Sequence, residues 1–265
     1  RESPERTWLY QNLFPDERDL GAMLTIAAPK QSALEGLTLD AGLFSGNGIR
    51  QDDNSKLDFI GHLKYNRATS NVEWGLGTSL YYGSVNNADT LLFEVKDNRW
   101  VSSTVEANST NARLYYGIDA QVSISTSWGL SNIRAEYLMG QQPSTKSSFT
   151  STKANSYDAS AAFSYMRNFM GWHVYFVQDI YRLPMSVVVK YSWADANTDL
   201  AGDEITNKTD LAQSSLGLGL LYRLNSNVRL MAYYDIISNE TTNQIEKYSK
   251  DLKDNVFTLR LQYKF

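Results

Sequence analysis

NVFTLRLQYKF, residues 255–265, alternates without a break: Phe257, Leu259, Leu261, Tyr263 and Phe265 fall on one side, and Thr258, Arg260, Gln262 and Lys264 on the other. A period of two gives an extended strand one apolar and one polar face. The stretch before it repeats the pattern, with Val228, Leu230, Ala232, Tyr234 and Ile236 set against Arg229, Met231, Tyr233 and Asp235. Working backward, the same reading expects strands near 213–224, 185–194, 171–180, 130–139, 112–124, 71–83, 57–66, 36–45 and 18–27. That makes about eleven strands of roughly ten residues, the length a tilted strand needs to cross a hydrocarbon layer.

Average properties neither support nor oppose this. The chain of 265 residues is 42 % hydrophobic and 12 % aromatic, as a soluble protein can be. It has no run of about 20 apolar residues, which argues against a helical membrane protein. A barrel shows lipid only every second side chain, so its mean hydropathy stays low, here −0.40. The formal charge of −4 and the lack of any Lys/Arg-rich run speak against nucleic-acid binding. Cysteine is absent, proline numbers five, and tyrosine (17) and glycine (16) are plentiful, which is strand-and-turn chemistry.

The connections sort into two kinds. Short links at 28–35, 67–70, 125–129, 181–184 and 225–226 alternate with longer polar ones at 46–56, 84–111, 140–170, 195–212 and 238–253. Short periplasmic turns alternating with long outer loops is the pattern of bacterial outer-membrane barrels. The expected fold is therefore all-β, a transmembrane antiparallel up-and-down barrel forming one domain over 1–265. Tyr65, Trp74, Trp128, Tyr222 and Phe265 fall at the periplasmic ends, while Tyr82, Tyr116, Tyr137, Trp172, Trp193 and Tyr234 fall toward the outer ends. Two such belts suit the two interfaces of a bilayer. If the last strand ends in the periplasm, an odd strand count starts the chain outside. The expectation is then that an amino-terminal part with an odd number of strands is missing and that 1–16 belong to an outer loop. The alternative is a further strand hidden in 1–16 or in 140–170, where YDASAAFSYM at 157–166 alternates weakly.

Several segments together resemble the phosphate-selective porin O/P family: NLFPDERDLGAML at 12–24, LDAGLFSGNGI at 39–49, DFIGHLKYN at 58–66, FVQDI at 176–180, VVVKYSWADANT at 187–198 and LGLGLLYRLNSNVRLMAYYD at 216–235. The resemblance implies a sixteen-stranded barrel, of which eleven strands are visible here. It also implies a trimer, a lumen narrowed by an inward loop, and a preference for phosphate-like anions. Arg1, Glu5 and Arg6 become candidate pore-facing charges. The implied function is an outer-membrane porin passing small polar or anionic solutes by diffusion, with membrane lipid as its surroundings. The rival expectation is an accessory barrel of an envelope complex with an occluded lumen.

Alternation assigns the candidate pore lining. Its cations are Lys64, Arg113, Arg134, Lys190, Arg223, Arg229, Arg260 and Lys264; its anions are Asp40, Asp58, Glu73, Asp119, Glu136, Asp179 and Asp235. The two signs nearly cancel, and many of these charges are expected to form cross-strand ladders. Arg223, Arg229, Arg260 and Lys264 lie near the periplasmic ends of three successive strands, either as an anion-attracting patch or as charges facing headgroups. Inward Gly42, Gly75, Gly77, Gly117, Gly217 and Gly219 could widen the lumen, permit curvature or seat an inward loop. Inward Tyr81, Tyr115, Tyr175 and Tyr233 are candidates for stacking a sugar ring.

No catalytic constellation emerges. The two histidines, His62 and His173, sit on lumen faces and suit hydrogen bonding rather than a Ser-His-acid site. Asp52, Asp53 and Asn54, and Asp203 with Glu204, lack calcium-loop spacing. The glycines at 46–48 do not lead from a strand into a helix, so no phosphate cradle is implied. No enzyme activity, cofactor or metal is expected.

Overall fold

The computed structural model describes residues 3–15, 17–48, 56–87, 89–106, 109–150 and 163–264. Arg1, Asp52, Asp53, Asn54, Phe265 and residues 157–162 of the weakly alternating stretch lie outside them.

Among the described residues one α-helix, α1 (Trp8–Leu13), precedes the strands. These are β1 (Gly21–Ala27), β2 (Leu37–Phe44), β3 (Asp58–Ala68), β4 (Val72–Asn86), β5 (Leu91–Lys96), β6 (Arg99–Thr104), β7 (Thr110–Thr126), β8 (Gly129–Ser144), β9 (Ser164–Asp179), β10 (Met185–Asp195), β11 (Gln213–Arg223), β12 (Val228–Asn239) and β13 (Val256–Tyr263). One sheet holds them all, in the order β1-β2-β3-β4-β7-β8-β9-β10-β11-β12-β13. Every step along that path joins neighbours antiparallel, which gives the expected up-and-down wall of eleven strands. Among the described residues, β1 pairs only with β2 and β13 only with β12.

The sequence expectation fails in the loop at 84–111, which is largely structured. β4 runs on to Asn86, and β5 and β6 form a hairpin branching from the wall, where Leu92 and Phe93 pair in parallel with Ser164 and Tyr165 of β9. The turn is Asp97–Asn98, both at positive φ (48° and 59°). This is the backbone of a two-residue hairpin whose twist matches its strands. β8 and β9 also extend beyond their expected ends, with Gln142 opposite Arg167 and Ser144 opposite Tyr165. Their polar residues continue the ladder because backbone pairing needs no apolar face once a strand has left a hydrocarbon layer. At the other end, Gly129 (φ 124°) closes the β7–β8 turn, where a Cβ would lie 2.1 Å from the Asp179 carbonyl oxygen.

Register separates two faces. Leu24, Leu76, Ile118, Leu218, Leu259 and Leu261 point away from α1 and are exposed, and Leu259 is 71 % exposed. So continuous an apolar exterior is unfavourable in water and suits lipid. Aromatic rings mark its ends, including the pairs Tyr65–Trp74 (5.7 Å) and Trp172–Tyr191 (5.3 Å) and the exposed Trp128. The buried side chains lie on the opposite face and in the loops. Leu200, Ile205 and Leu211 pack with Val95, Trp100, Ile245 and Tyr248, uniting the β5–β6 hairpin with the two later loops.

Candidate pore lining

Residues 3–15 lie across the inner face. Leu9 and Leu13, one helical turn apart, bury against Tyr81, Tyr115, Leu138, Phe169 and Ala194. A Cβ on Gly171 would come within 2.8 Å of the Leu9 Cδ2, so this glycine shapes the seat of the helix. Phe14 sets its edge against Tyr81 and Tyr115, and Trp8 stacks on Phe149 of the 145–150 loop at 5.6 Å. Polar contacts pin the same segment. The Tyr10 hydroxyl donates to Glu136, Arg260 donates to the Pro4 carbonyl at 2.7 Å and pairs with Glu5 at 3.3 Å, and Lys190 reaches Ser3 Oγ at 3.5 Å. Glu5 and Arg6, candidates from the family resemblance, both border cavities beside this segment, and Arg6 pairs with Glu17 at 3.1 Å.

Register puts the candidate lining residues on the face that carries α1, and most of them meet an opposite charge. Asp40 pairs with Lys64 at 3.2 Å, Asp179 with Arg223 at 3.1 Å and Asp235 with Lys190 at 3.3 Å. Asp58 and Arg113 form a buried pair joined by the Tyr81 hydroxyl. Asp119 bonds His62 at 3.0 Å, and Glu136 lies 3.9 Å from His173. Arg134 sets its guanidinium over Tyr175, and Glu73 is exposed at the turn end of β4.

The supposed basic patch is not an unpaired one. Arg223 and Arg229 face each other in register, but Arg223 is held by Asp179, Arg229 donates to Gln262 at 2.9 Å, and Arg260 turns to Pro4 and Glu5. Lys264 follows β13 with its backbone N–H on the Asn227 carbonyl at 2.8 Å.

Three of the candidate sugar-stacking rings are engaged elsewhere. Tyr81 and Tyr115 stack on each other at 5.0 Å beneath Phe14, and Tyr233 lies over Gly217 and Gly219. Nor do these glycines, or Gly75 and Gly77, widen the bore, because neighbouring side chains cover them. They act as windows in a middle strand through which residues two strands apart meet. Lys190 reaches Asp235 across the row of Gly217, and His62 reaches Asp119 over Gly77, where a Cβ would lie 2.2 Å from Asp119 Oδ2 and 2.5 Å from His62 Nε2. Gly77→Ala is therefore expected to break the His62–Asp119 contact and cost about 1–3 kcal/mol, as overpacking does. A urea unfolding midpoint equal to that of the unmodified protein would contradict this.

Beyond the wall, sequence reasoning missed the most buried ion pair. Arg167 Nε donates to Asp210 Oδ1 at 2.7 Å, and both side chains are wholly buried. Arg167 also donates to Ser144 Oγ and to the Thr145 carbonyl, and it lies against the rings of Trp100 and Tyr165. Asp210 accepts from Asn197 Nδ2 at 3.1 Å and Trp100 Nε1 at 3.2 Å. One guanidinium thus joins three loops. Asp203 and Glu204 are likewise engaged in loop contacts: Asp203 accepts from the Asn243 backbone N–H at 3.0 Å, which holds its carboxyl below the usual range, and Glu204 accepts from Ala201 N–H at 3.2 Å.

An antiparallel meander with an apolar outer face, a charged inner face and an inward segment defines the wall of an outer-membrane β-barrel. Of known proteins, the chain is similar to OmpT, an outer membrane protein of Vibrio cholerae solved in trimer form. The TM-score is 0.51 at 12 % identity, over 99 % of this chain and 70 % of that one, and the likeness shows the fold. The NanC porin aligns over 92 % of this chain and 93 % of its own at 12 % identity and TM-score 0.41. An anion-selective porin from Comamonas acidovorans aligns over 83 % of this chain and 49 % of its own at 10 % identity and TM-score 0.44. No protein-family model and no curated protein matches the sequence.

Proposed function

We propose that the protein is an outer-membrane porin through which small hydrophilic solutes diffuse passively, narrowed by residues 3–15. The observation that carries this reading is the opposition of the two faces: lipid-compatible leucines outside, and inside a charged wall with cavities on both sides of the inward segment. Because most lining charges are paired, the field along the path is weak, and selectivity by charge sign is correspondingly small. The resemblance to the phosphate-selective porin O/P family supports what anion preference there is. The trimer form of OmpT supports a homotrimer. The inward-facing charges, Arg134, Lys190, Arg229, Arg260, Glu5 and Asp235 among them, act by setting this balance rather than by catalysis.

The refolded protein should give stepwise ionic currents in a planar lipid bilayer, with a reversal potential near zero under a salt gradient. Arg229→Glu combined with Arg260→Glu should move that potential toward cations. The tight packing of α1 favours one other reading, an accessory barrel with a plugged lumen, and absence of any current step would decide for it.

A further inference from the structure

The inward segment does not fill the lumen evenly. Toward β2, β3, β4 and β7 it leaves a cavity of about 470 Å³, within the range of small-molecule sites. Leu13, Phe14 and Pro15 of the segment form one wall, and Phe44, Ile60 and Tyr81 of the sheet form another. Three guanidiniums border this apolar space, and two of them are already matched: Arg113 by Asp58, and Arg6 by Glu17 at 3.1 Å. The two carboxylates of the lining are also committed, Glu17 to Arg6 and Asp19 to Ser45 Oγ at 2.8 Å and the Gly46 N–H at 3.0 Å. Arg18, exposed within the lining, has no acidic partner among the described residues.

We infer that this cavity is a binding step for small organic anions with an apolar body, the carboxylate held by Arg18 and the body seated between Phe14, Ile60 and Phe44. The inference rests on the channel reading and narrows its solute class. A strongly hydrated inorganic anion gains nothing from apolar walls, because it would lose water there without compensation. A carboxylate on a ring keeps its charge at the exposed guanidinium and gives up only apolar surface to the cavity. The site therefore favours such a molecule over inorganic phosphate of similar charge.

The test uses the full chain, refolded in detergent and reconstituted in planar bilayers, with three probes: benzoate, inorganic phosphate and benzyl alcohol. Benzoate should interrupt the ionic current in a concentration-dependent way, and titration in detergent should show saturable quenching of intrinsic fluorescence. Phosphate, which lacks the apolar body, and benzyl alcohol, which lacks the charge, should do neither at the same concentration. Arg18→Gln, an exposed substitution, should weaken benzoate about tenfold, the size of one charge-assisted hydrogen bond, and Arg18→Lys should weaken it less. Equal effects of benzoate and phosphate, or of benzoate and benzyl alcohol, overturn the proposal, as does an unchanged benzoate response in Arg18→Gln. Saturable benzoate binding by a protein that carries no current sustains the site while sinking the channel reading. Normal current without benzoate binding does the reverse.

Discussion

Arg167→Leu is expected to lower the free energy of unfolding by about 3–5 kcal/mol, because it strands the Asp210 carboxylate in a fully buried place. Coulomb attraction alone is not the reason. Asp210 keeps Asn197 and Trp100 as donors, but these neutral groups do not compensate a charge removed from water. The damage should spread, since the same guanidinium holds Ser144 at the end of β8 and Thr145 just beyond it, and lies against Trp100 of the β5–β6 hairpin. Limited proteolysis should therefore cut the segments that carry Thr145, Asp210 and Trp100 sooner, although Arg167 itself lies in β9. The double variant Arg167→Leu with Asp210→Leu should recover much of the loss, because replacing both members of a buried pair by apolar groups is often neutral. If the single variant unfolds at the same urea concentration as the unmodified protein, Arg167 does not tie the loops together.

The second large effect concerns the inward segment. Leu9→Ala together with Leu13→Ala removes the two side chains that seat α1, each 3 % exposed, and truncations of this kind cost about 2–5 kcal/mol apiece in a packed core. A helix of six residues cannot hold its shape alone, so losing the seat should release it from the wall. Single-channel conductance should then rise and its open level become noisier. Tyr10→Phe, which removes only the hydroxyl donated to Glu136, should shift both in the same direction but less. Unaltered conductance in the double leucine variant would mean that residues 3–15 do not set the aperture.

Much of this architecture was legible in the sequence, for a physical reason. Period-two patterning is written residue by residue, and the lipid face enforces it, so all eleven wall strands were placed, most with ends within three residues. The misses lie at the loop end, where β8 runs five residues and β9 seven residues past the expected limit. Face assignments of Lys64, Asp119, Lys190 and Asp235 followed from parity alone. Their pairing did not, because Lys190 and Asp235 meet only once register sets Gly217 between them. The hairpin of β5 and β6 did leave a signal, the Asp97–Asn98 dipeptide between two short alternating runs. The loop node left none: Arg167 and Asp210 are 43 positions apart, and nothing local marks either as buried. In WLYQNL, Leu9 and Leu13 carry a helical spacing, but one turn of it is too little to stand out against strand alternation.

The unequal strand lengths shape the mouth. β8 has 16 residues and β13 has 8, so their contours run to about 54 Å and about 27 Å at the usual rise per residue. The turn ends of β4, β7, β8 and β9 lie close in register, with Val72 opposite Ile124, Thr126 opposite Gly129 and Ser131 opposite Gln178, so the surplus stands wholly at the loop end. The rim is consequently built in two ways: over β4, β7, β8 and β9 the sheet itself rises, while toward β13 the short strands give way to residues 240–255, whose Thr242, Ile245 and Tyr248 rest on the 196–212 loop. One flank of the mouth is therefore hydrogen-bonded sheet and the other is packed loop.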